Sequence, residues 1–216
     1  YREVHQKAAV LYRKQARFQL ITTGKISQKN LLFEEQHLER LRTASRYFAF
    51  PFDVEDLKQK IEEECQACDI NQDYRLRISL SKSGEIAVDC QALESLSPTF
   101  CQAKLCLQEA NLQQAFTYFK TTHRPHLNLG KHEKIYHNIR GELLETSIGN
   151  LVLKISGKLY TSPIRLGILP GIYRQYLLET GQIEEKVLTL KDLDQAEAIY
   201  GCNAVRGLYE LRLEGN

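Results

Sequence analysis

The chain has no methionine and no tryptophan, and no apolar run near the length of a membrane span. A spanning helix needs roughly 18–20 consecutive apolar residues, so no membrane segment is expected. The first residues, Tyr1 to His5, carry no secretory apolar core, and a cytoplasmic protein is the expectation. Methionine is missing even at position 1, which fits a fragment or a processed product. Charge of one sign is also scarce. The 29 Lys+Arg against 27 Asp+Glu leave a net charge of +2, too little to imply nucleic acid or an anionic membrane as partner. There is no internal repeat and no low-complexity tract. Zinc-finger wording is incomplete: Cys65-Gln-Ala-Cys68 has the spacing, but no second such pair follows at finger distance. The six cysteines are expected to be reduced thiols that pack. His123, His126, His132 and His137 form a loose group without a pair one turn apart on a convincing helix, so no metal is expected.

With 216 residues, one large domain or two small ones can bury a core. Residues 1–17 are charged and read as a lead-in helix. Phe18 to Thr23 reads as a strand ending at Gly24. Leu38, Leu41, Ala44 and Phe48 have helical spacing within Glu34 to Phe48, and Pro51 ends that helix. Asp53 caps the next, with Leu57 and Ile61 inward. Arg75 to Leu80, a turn at Ser81 to Gly84, and Glu85 to Cys90 form a hairpin. Gln91 to Cys101 is the candidate linker, so the expected domains are 1–95 and 102–216. The second is strand-rich, with a strand from Ala103 to Glu109 and another end at Phe116 to Phe119. Further strands are expected at Lys134 to Asn138, Leu143 to Thr146, Asn150 to Ile155 and Lys158 to Thr161. Pro170-Gly171 opens a helix whose apolar stripe is Ile172, Tyr176, Leu177 and Leu178, with Gly181 as its stop. Thr189 to Asp192 has capping-box form before a short helix through Ala198, and a strand follows from Ile199 to Asn203.

Three residues stand out for chemistry. Lys120 follows the apolar run Phe116 to Phe119, and desolvation lowers a lysine's pKa toward the range of a reactive amine. Glu145 lies among small polar residues after a glycine turn and can point inward. Gly171 starts a helix, and the free N–H groups of a helix start suit a phosphate. Each alone reads more simply as a surface lysine, a solvated carboxylate and an ordinary helix start.

Their joint wording changes the balance. The blocks Lys120-Thr-Thr-His-Arg124, Gly141 to Asn150, Gly157 to Pro163, Gly167 to Arg174 and Leu193 to Glu197 come in one order. Over roughly residues 18–212 they resemble the fold-type IV pyridoxal-phosphate enzymes: branched-chain and D-amino-acid aminotransferases and 4-amino-4-deoxychorismate lyases. The resemblance implies an α+β, two-domain fold, with a small N-terminal α/β sandwich domain and a larger C-terminal pseudo-barrel domain. It further implies pyridoxal 5'-phosphate as cofactor, a small-molecule substrate and a homodimer. Lys120 matches the lysine that carries the cofactor, Glu145 the partner of its pyridine nitrogen, and Arg40 the phosphate-binding arginine. Gly171 and Ile172 match the helix start under the phosphate, and Asn203-Ala204 a second loop near it. Thr22 and Thr23 match a threonine pair lining the lyase site; Lys25 stands where a family arginine would, and Arg124 is a further candidate for a substrate carboxylate, as is Arg77. The lysine block and Asn203 to Gly207 are most similar to the lyase branch, and Glu3 to Ala9 resembles the junction of lyase domains fused to a synthase. The tyrosine that aminotransferases place five residues after the lysine is here Pro125. Against the resemblance, the family's first strands ahead of Phe18 are expected to be missing or replaced by the charged lead-in. The lyase reaction, release of pyruvate and 4-aminobenzoate, is the leading expectation, with an aminotransferase and a non-catalytic homologue as alternatives.

Overall fold

The computed structural model describes residues 17–94, 100–108, 115–127 and 133–214. The lead-in helix, all but the ends of the candidate linker, and His132 lie outside the described residues. Two compact units divide the chain: Tyr1–Glu94 with Phe119–Arg124, and Ser95–Tyr118 with Pro125–Asn216.

The first unit is built on β1 (Leu20–Ser27), β2 (Asn30–Leu31), α1 (Glu34–Phe48), α2 (Val54–Ala67), β3 (Tyr74–Leu80) and β4 (Ile86–Ala92). The strands form an antiparallel sheet in the order β2-β1-β3-β4. Side chains alternate across a strand, so Leu20, Thr22, Gly24 and Ile26 share one face with their cross-strand neighbours Leu76, Ile78 and Leu80. That face is covered: α1 packs on β1, and α2 on β2 and β4. Leu38, Leu41, Phe48, Leu57 and Ile61 complete the core. Phe18 closes one end, its ring 5.0 Å from Phe48 and 5.4 Å from Phe50.

Local signals set the helix ends. Ala49 takes a left-handed conformation after α1 and its N–H bonds Ser45 O. The Asp53 side chain accepts the N–H groups of Glu55 and Asp56, which satisfies donors that a helix start otherwise leaves open. The first strand does not stop at Gly24, contrary to the expectation from sequence. The glycine lies inside β1 because α1 comes too close for a side chain: a Cβ there would sit 2.5 Å from His37 Nε2.

The second unit holds β5 (Phe100–Leu107), α3 (Ala115–Tyr118), β6 (Glu133–His137), β7 (Leu143–Thr146), β8 (Asn150–Ile155), β9 (Lys158–Thr161), α4 (Ile172–Glu179), β10 (Glu184–Glu185), α5 (Leu190–Asp194), β11 (Ala198–Asn203) and β12 (Gly207–Leu213). Sheet order is β10-β9-β8-β11-β12-β5-β6-β7, and β7 pairs back onto β8 through Glu145 and Asn150. That closure makes the barrel-like sheet of an α+β fold. Leu151 and Leu153 enter one cluster with Ala103, Ile135, Leu143, Leu188, Tyr209 and Leu211. Val152, pointing the other way, joins Leu177, Ile183 and Cys202 under α4. With both faces covered, β8 reads as an unbroken apolar run rather than an alternation.

Several sequence boundaries move. The stretch before Lys120 is a helical turn, α3, not a strand end. Gln91 and Ala92 belong to β4, and Phe100 and Cys101 to β5, which trims the linker from both sides. The stripe of α4 differs as well: Tyr176 is 39% exposed, while Arg174 is buried. The Arg174 guanidinium replaces an apolar contact with bonds to Ser162 O and to the Glu185 carboxylate. The capping box at Thr189 is present, but its helix ends at Asp194 and Ala198 already begins β11.

Candidate active site

The expected site residues fall into two groups, one in each unit. Lys120, Arg40, Thr22, Thr23, Lys25 and Arg124 belong to the first. Lys120 lies on a segment that runs antiparallel to the start of β1. The Ile21 N–H donates to Lys120 O at 2.9 Å, and the Thr122 N–H to Gln19 O at 2.9 Å. Thr121 bridges Leu20 and gives its hydroxyl proton to His123 O at 2.7 Å. The catalytic candidate is therefore placed by backbone bonds on both sides, although only a short segment carries it.

Every influence on the Lys120 amine acts against its charge. Burial comes first, followed by the guanidinium groups of Arg40, Arg124, Arg77 and Arg75, and together they hold its pKa well below 10.5. Burial and then Arg124 lower Arg40 to about 10. This concentration of positive groups suits an anion and favours a neutral, nucleophilic lysine. A planar guanidinium at Arg40 can take a phosphate through two oxygens. The donor set thus fits pyridoxal phosphate.

The threonine pair is split by the pleat. Thr22 points toward α1, is fully buried, and shares a 2.6 Å hydrogen bond with His37 Nδ1. Burial, with Arg40 and Lys120, holds His37 at about 3, so its imidazole is neutral. Thr23 takes the opposite face, directly across from Arg77, as Lys25 is across from Arg75. Lys25 pairs with Asp73 at 3.1 Å, and Arg75 with Asp89 at 3.2 Å. Arg77 makes no hydrogen bond or ion pair among the described residues.

The second group lies in the barrel unit. Glu145 on β7 is 2% exposed, and its Oε2 accepts the Leu169 N–H at 3.4 Å. Its register partner Asn150 donates to Leu169 O at 2.8 Å. Gly171 must be a glycine because a Cβ would run into Asn150 Oδ1. Gly171 also precedes α4 with no side-chain cap, which leaves the first-turn N–H groups of Ile172 and its neighbours suited to an anion. Asn203 Oδ1 accepts the N–H groups of Val205 and Arg206, both at 2.9 Å. Asn203 and Ala204 thereby form a tight loop between β11 and β12. A buried carboxylate, an open helix start and a tight loop of backbone N–H groups are, within this unit, groups suited to a protonated ring nitrogen and to a phosphate.

The residue model of class IV amino-transferases matches residues 19–213. The chain belongs to that family. It is 25% identical to aminodeoxychorismate lyase of Saccharomyces cerevisiae, over 84% of this chain and 67% of the yeast protein. A solved structure from Mesorhizobium loti, provisionally described as an amino-acid aminotransferase, shares 26% identity at a TM-score of 0.81, covering 91% of this chain and 99% of that one. A Legionella pneumophila structure, provisionally described as a 4-amino-4-deoxychorismate lyase, shares the fold at 20% identity and a TM-score of 0.72, over 91% and 83% of the two chains. Class IV enzymes depend on pyridoxal phosphate, and this class IV chain is a pyridoxal-phosphate-dependent enzyme.

Sequence reading missed His37 and His126. Helical spacing places His37 one turn before Arg40, a signal that was available. His126 had none, because its neighbour Glu145 is distant in sequence. The cysteines pack as expected: all six are free, and Cys68 Sγ lies 3.7 Å from Cys90 Sγ. Burial raises the Cys90 thiol to about 12. No group of three metal-ligating side chains occurs among the described residues, and no helix there is long and apolar enough to cross a membrane.

Proposed function

We propose that this enzyme is a 4-amino-4-deoxychorismate lyase, releasing pyruvate and 4-aminobenzoate, a reaction of folate synthesis. The observation that carries the proposal is the positive surrounding of Lys120, with Arg77 across from Thr23 and without a counterion among the described residues. A substrate with two carboxylates supplies the missing charge. The lysine block and the similarity to the yeast lyase support the same reading.

Bound pyridoxal phosphate supplies an electron sink for the carbon that bears the substrate amine. Lys120 would hold the cofactor, and its Nζ would serve as general base toward that carbon, a role the lowered pKa described above favours. The ring-oxygen bond to the enolpyruvyl group then breaks, and the departing group is protonated on its methylene to become pyruvate. Glu145 holds a proton on the ring nitrogen. Arg40 in the first unit and the start of α4 in the second are each suited to a phosphate. Thr23 and Arg77 are assigned to the substrate side, with Arg77 on a carboxylate; Lys25 is less suited, being engaged by Asp73. Thr22 supports the strand through His37 and does not share Thr23's face. The enzyme is further proposed to act as a cytoplasmic homodimer, which light scattering of the purified protein checks by mass.

An aminotransferase of the same family is the second reading, favoured by the Mesorhizobium loti similarity over nearly the whole of that chain. Amino donors separate the two. A panel of L- and D-amino acids converts an aminotransferase's cofactor to its pyridoxamine form, visible as loss of the long-wavelength band. The lyase reading expects that band to persist with every donor.

A further inference from the structure

His126 was one of four scattered histidines with no assigned use. Its side chain is fully buried, and its Nε2 lies 4.0 Å from Glu145 Oε1. Both residues belong to the barrel unit. The approach is built by packing: Leu127, next to His126, is buried in one cluster with Leu144, which precedes Glu145, and Ile168, which precedes Leu169. One small apolar knot therefore fixes the backbone beside His126, beside Glu145 and beside the N–H that Glu145 accepts. The Glu145 carboxylate is clamped between Leu169 on Oε2 and the imidazole near Oε1.

A buried carboxylate tends to take up a proton, because burial penalises its charge. A protonated Glu145 could not hold a proton on the cofactor's ring nitrogen. Burial penalises an imidazolium as well, but when His126 takes the proton the two charges form a pair whose attraction opposes both penalties. At 4.0 Å the two groups are beyond hydrogen-bond length, so their coupling is one of charge. We propose that His126 is the positioning residue for Glu145: as imidazolium it keeps the carboxylate ionised and aimed while the ring position is empty, preparing it for the pyridine nitrogen. The inference rests on the assignment of Glu145 to that nitrogen and on no particular substrate.

A double-mutant cycle on pyridoxal phosphate binding tests it, read by fluorescence titration of the cofactor-free protein. His126→Asn is expected to weaken binding roughly tenfold, with Glu145 present. In the Glu145→Gln background the same change is expected to have no further effect, because the carboxylate that His126 serves is gone. Equal weakening in both backgrounds would overturn the proposal, since a merely structural role adds independently. His126→Gln serves in the same cycle if the asparagine variant fails to fold. A second readout needs no cofactor: imidazole nitrogen NMR of the cofactor-free protein near neutral pH. His126 is expected to carry protons on both ring nitrogens, and to lose one in Glu145→Gln. A neutral imidazole in both proteins would overturn the proposal. If wild type binds no pyridoxal phosphate while the NMR result holds, the cofactor assignment fails and the pairing stands.

Discussion

The Ile21 amide and the Lys120 carbonyl share a 2.9 Å hydrogen bond. Through it, a lysine separated from β1 by about a hundred residues becomes an extra rung on that strand's edge. The bond fixes the backbone of Lys120 on the unit that also carries Arg40, Thr23 and Arg77.

Lys120→Ala is expected to lose covalent attachment of pyridoxal phosphate and at least about a thousandfold in turnover, the upper range for loss of a proton-transferring group. Borohydride reduction followed by mass measurement checks the attachment: wild type gains the reduced cofactor's mass, and the variant does not. A variant that still traps cofactor would remove Lys120 from its role.

His37 makes stability depend on acid. Its folded pKa, about 3, lies below the ordinary 6.5 because burial and the neighbouring cations oppose its charge. As pH falls through 6.5 the unfolded chain takes up a proton that the folded chain refuses until about 3. Proton uptake therefore favours unfolding, and stability is lost as pH falls across that window. At roughly 1.4 kcal/mol per unit the loss is at most about 5 kcal/mol. Urea midpoints measured from pH 7 to pH 3 should fall less steeply in His37→Asn than in wild type.

Gly24→Ala should destabilise the first unit by about 1–3 kcal/mol through overpacking. The new Cβ would meet His37 Nε2 at 2.5 Å and Leu31 Cδ1 at 2.8 Å. Urea denaturation reads the change directly, and a midpoint equal to wild type would show that α1 can shift away from β1.

Arg77→Ala should raise KM for 4-amino-4-deoxychorismate roughly 10- to 100-fold, the worth of a charged hydrogen bond. Its melting temperature should stay near that of wild type, because Arg77 holds no protein partner among the described residues. An unchanged KM would take Arg77 out of substrate binding.

Much of this was legible in the sequence where the controlling forces are local. The limits of α1 follow from Leu38, Leu41 and Phe48 at helical spacing and from Pro51 beyond its end. The N-cap at Asp53 and the capping box at Thr189 were equally plain, because each satisfies N–H groups at its own helix start. Where partners come from afar, reading failed. Gly24 looked like a strand end because nothing nearby shows that His37 packs over it. Phe116 to Phe119 looked like a strand because an apolar run of four residues has no period to separate strand from helix. The burial of Arg174 was not legible because its acceptors, Ser162 O and Glu185, lie on other elements. The roles of Lys120 and Glu145 came from motif wording; their surroundings came only from the fold.

Product release from 4-amino-4-deoxychorismate tests the central claim most directly. Purified enzyme loaded with pyridoxal phosphate is mixed with substrate alone, with no keto acid present. The account predicts pyruvate and 4-aminobenzoate in equal amounts over many turnovers, with the cofactor's long-wavelength band intact and with neither product formed by Lys120→Ala. Absence of pyruvate from fully loaded enzyme, together with conversion of the cofactor to its pyridoxamine form by an amino acid, would contradict it.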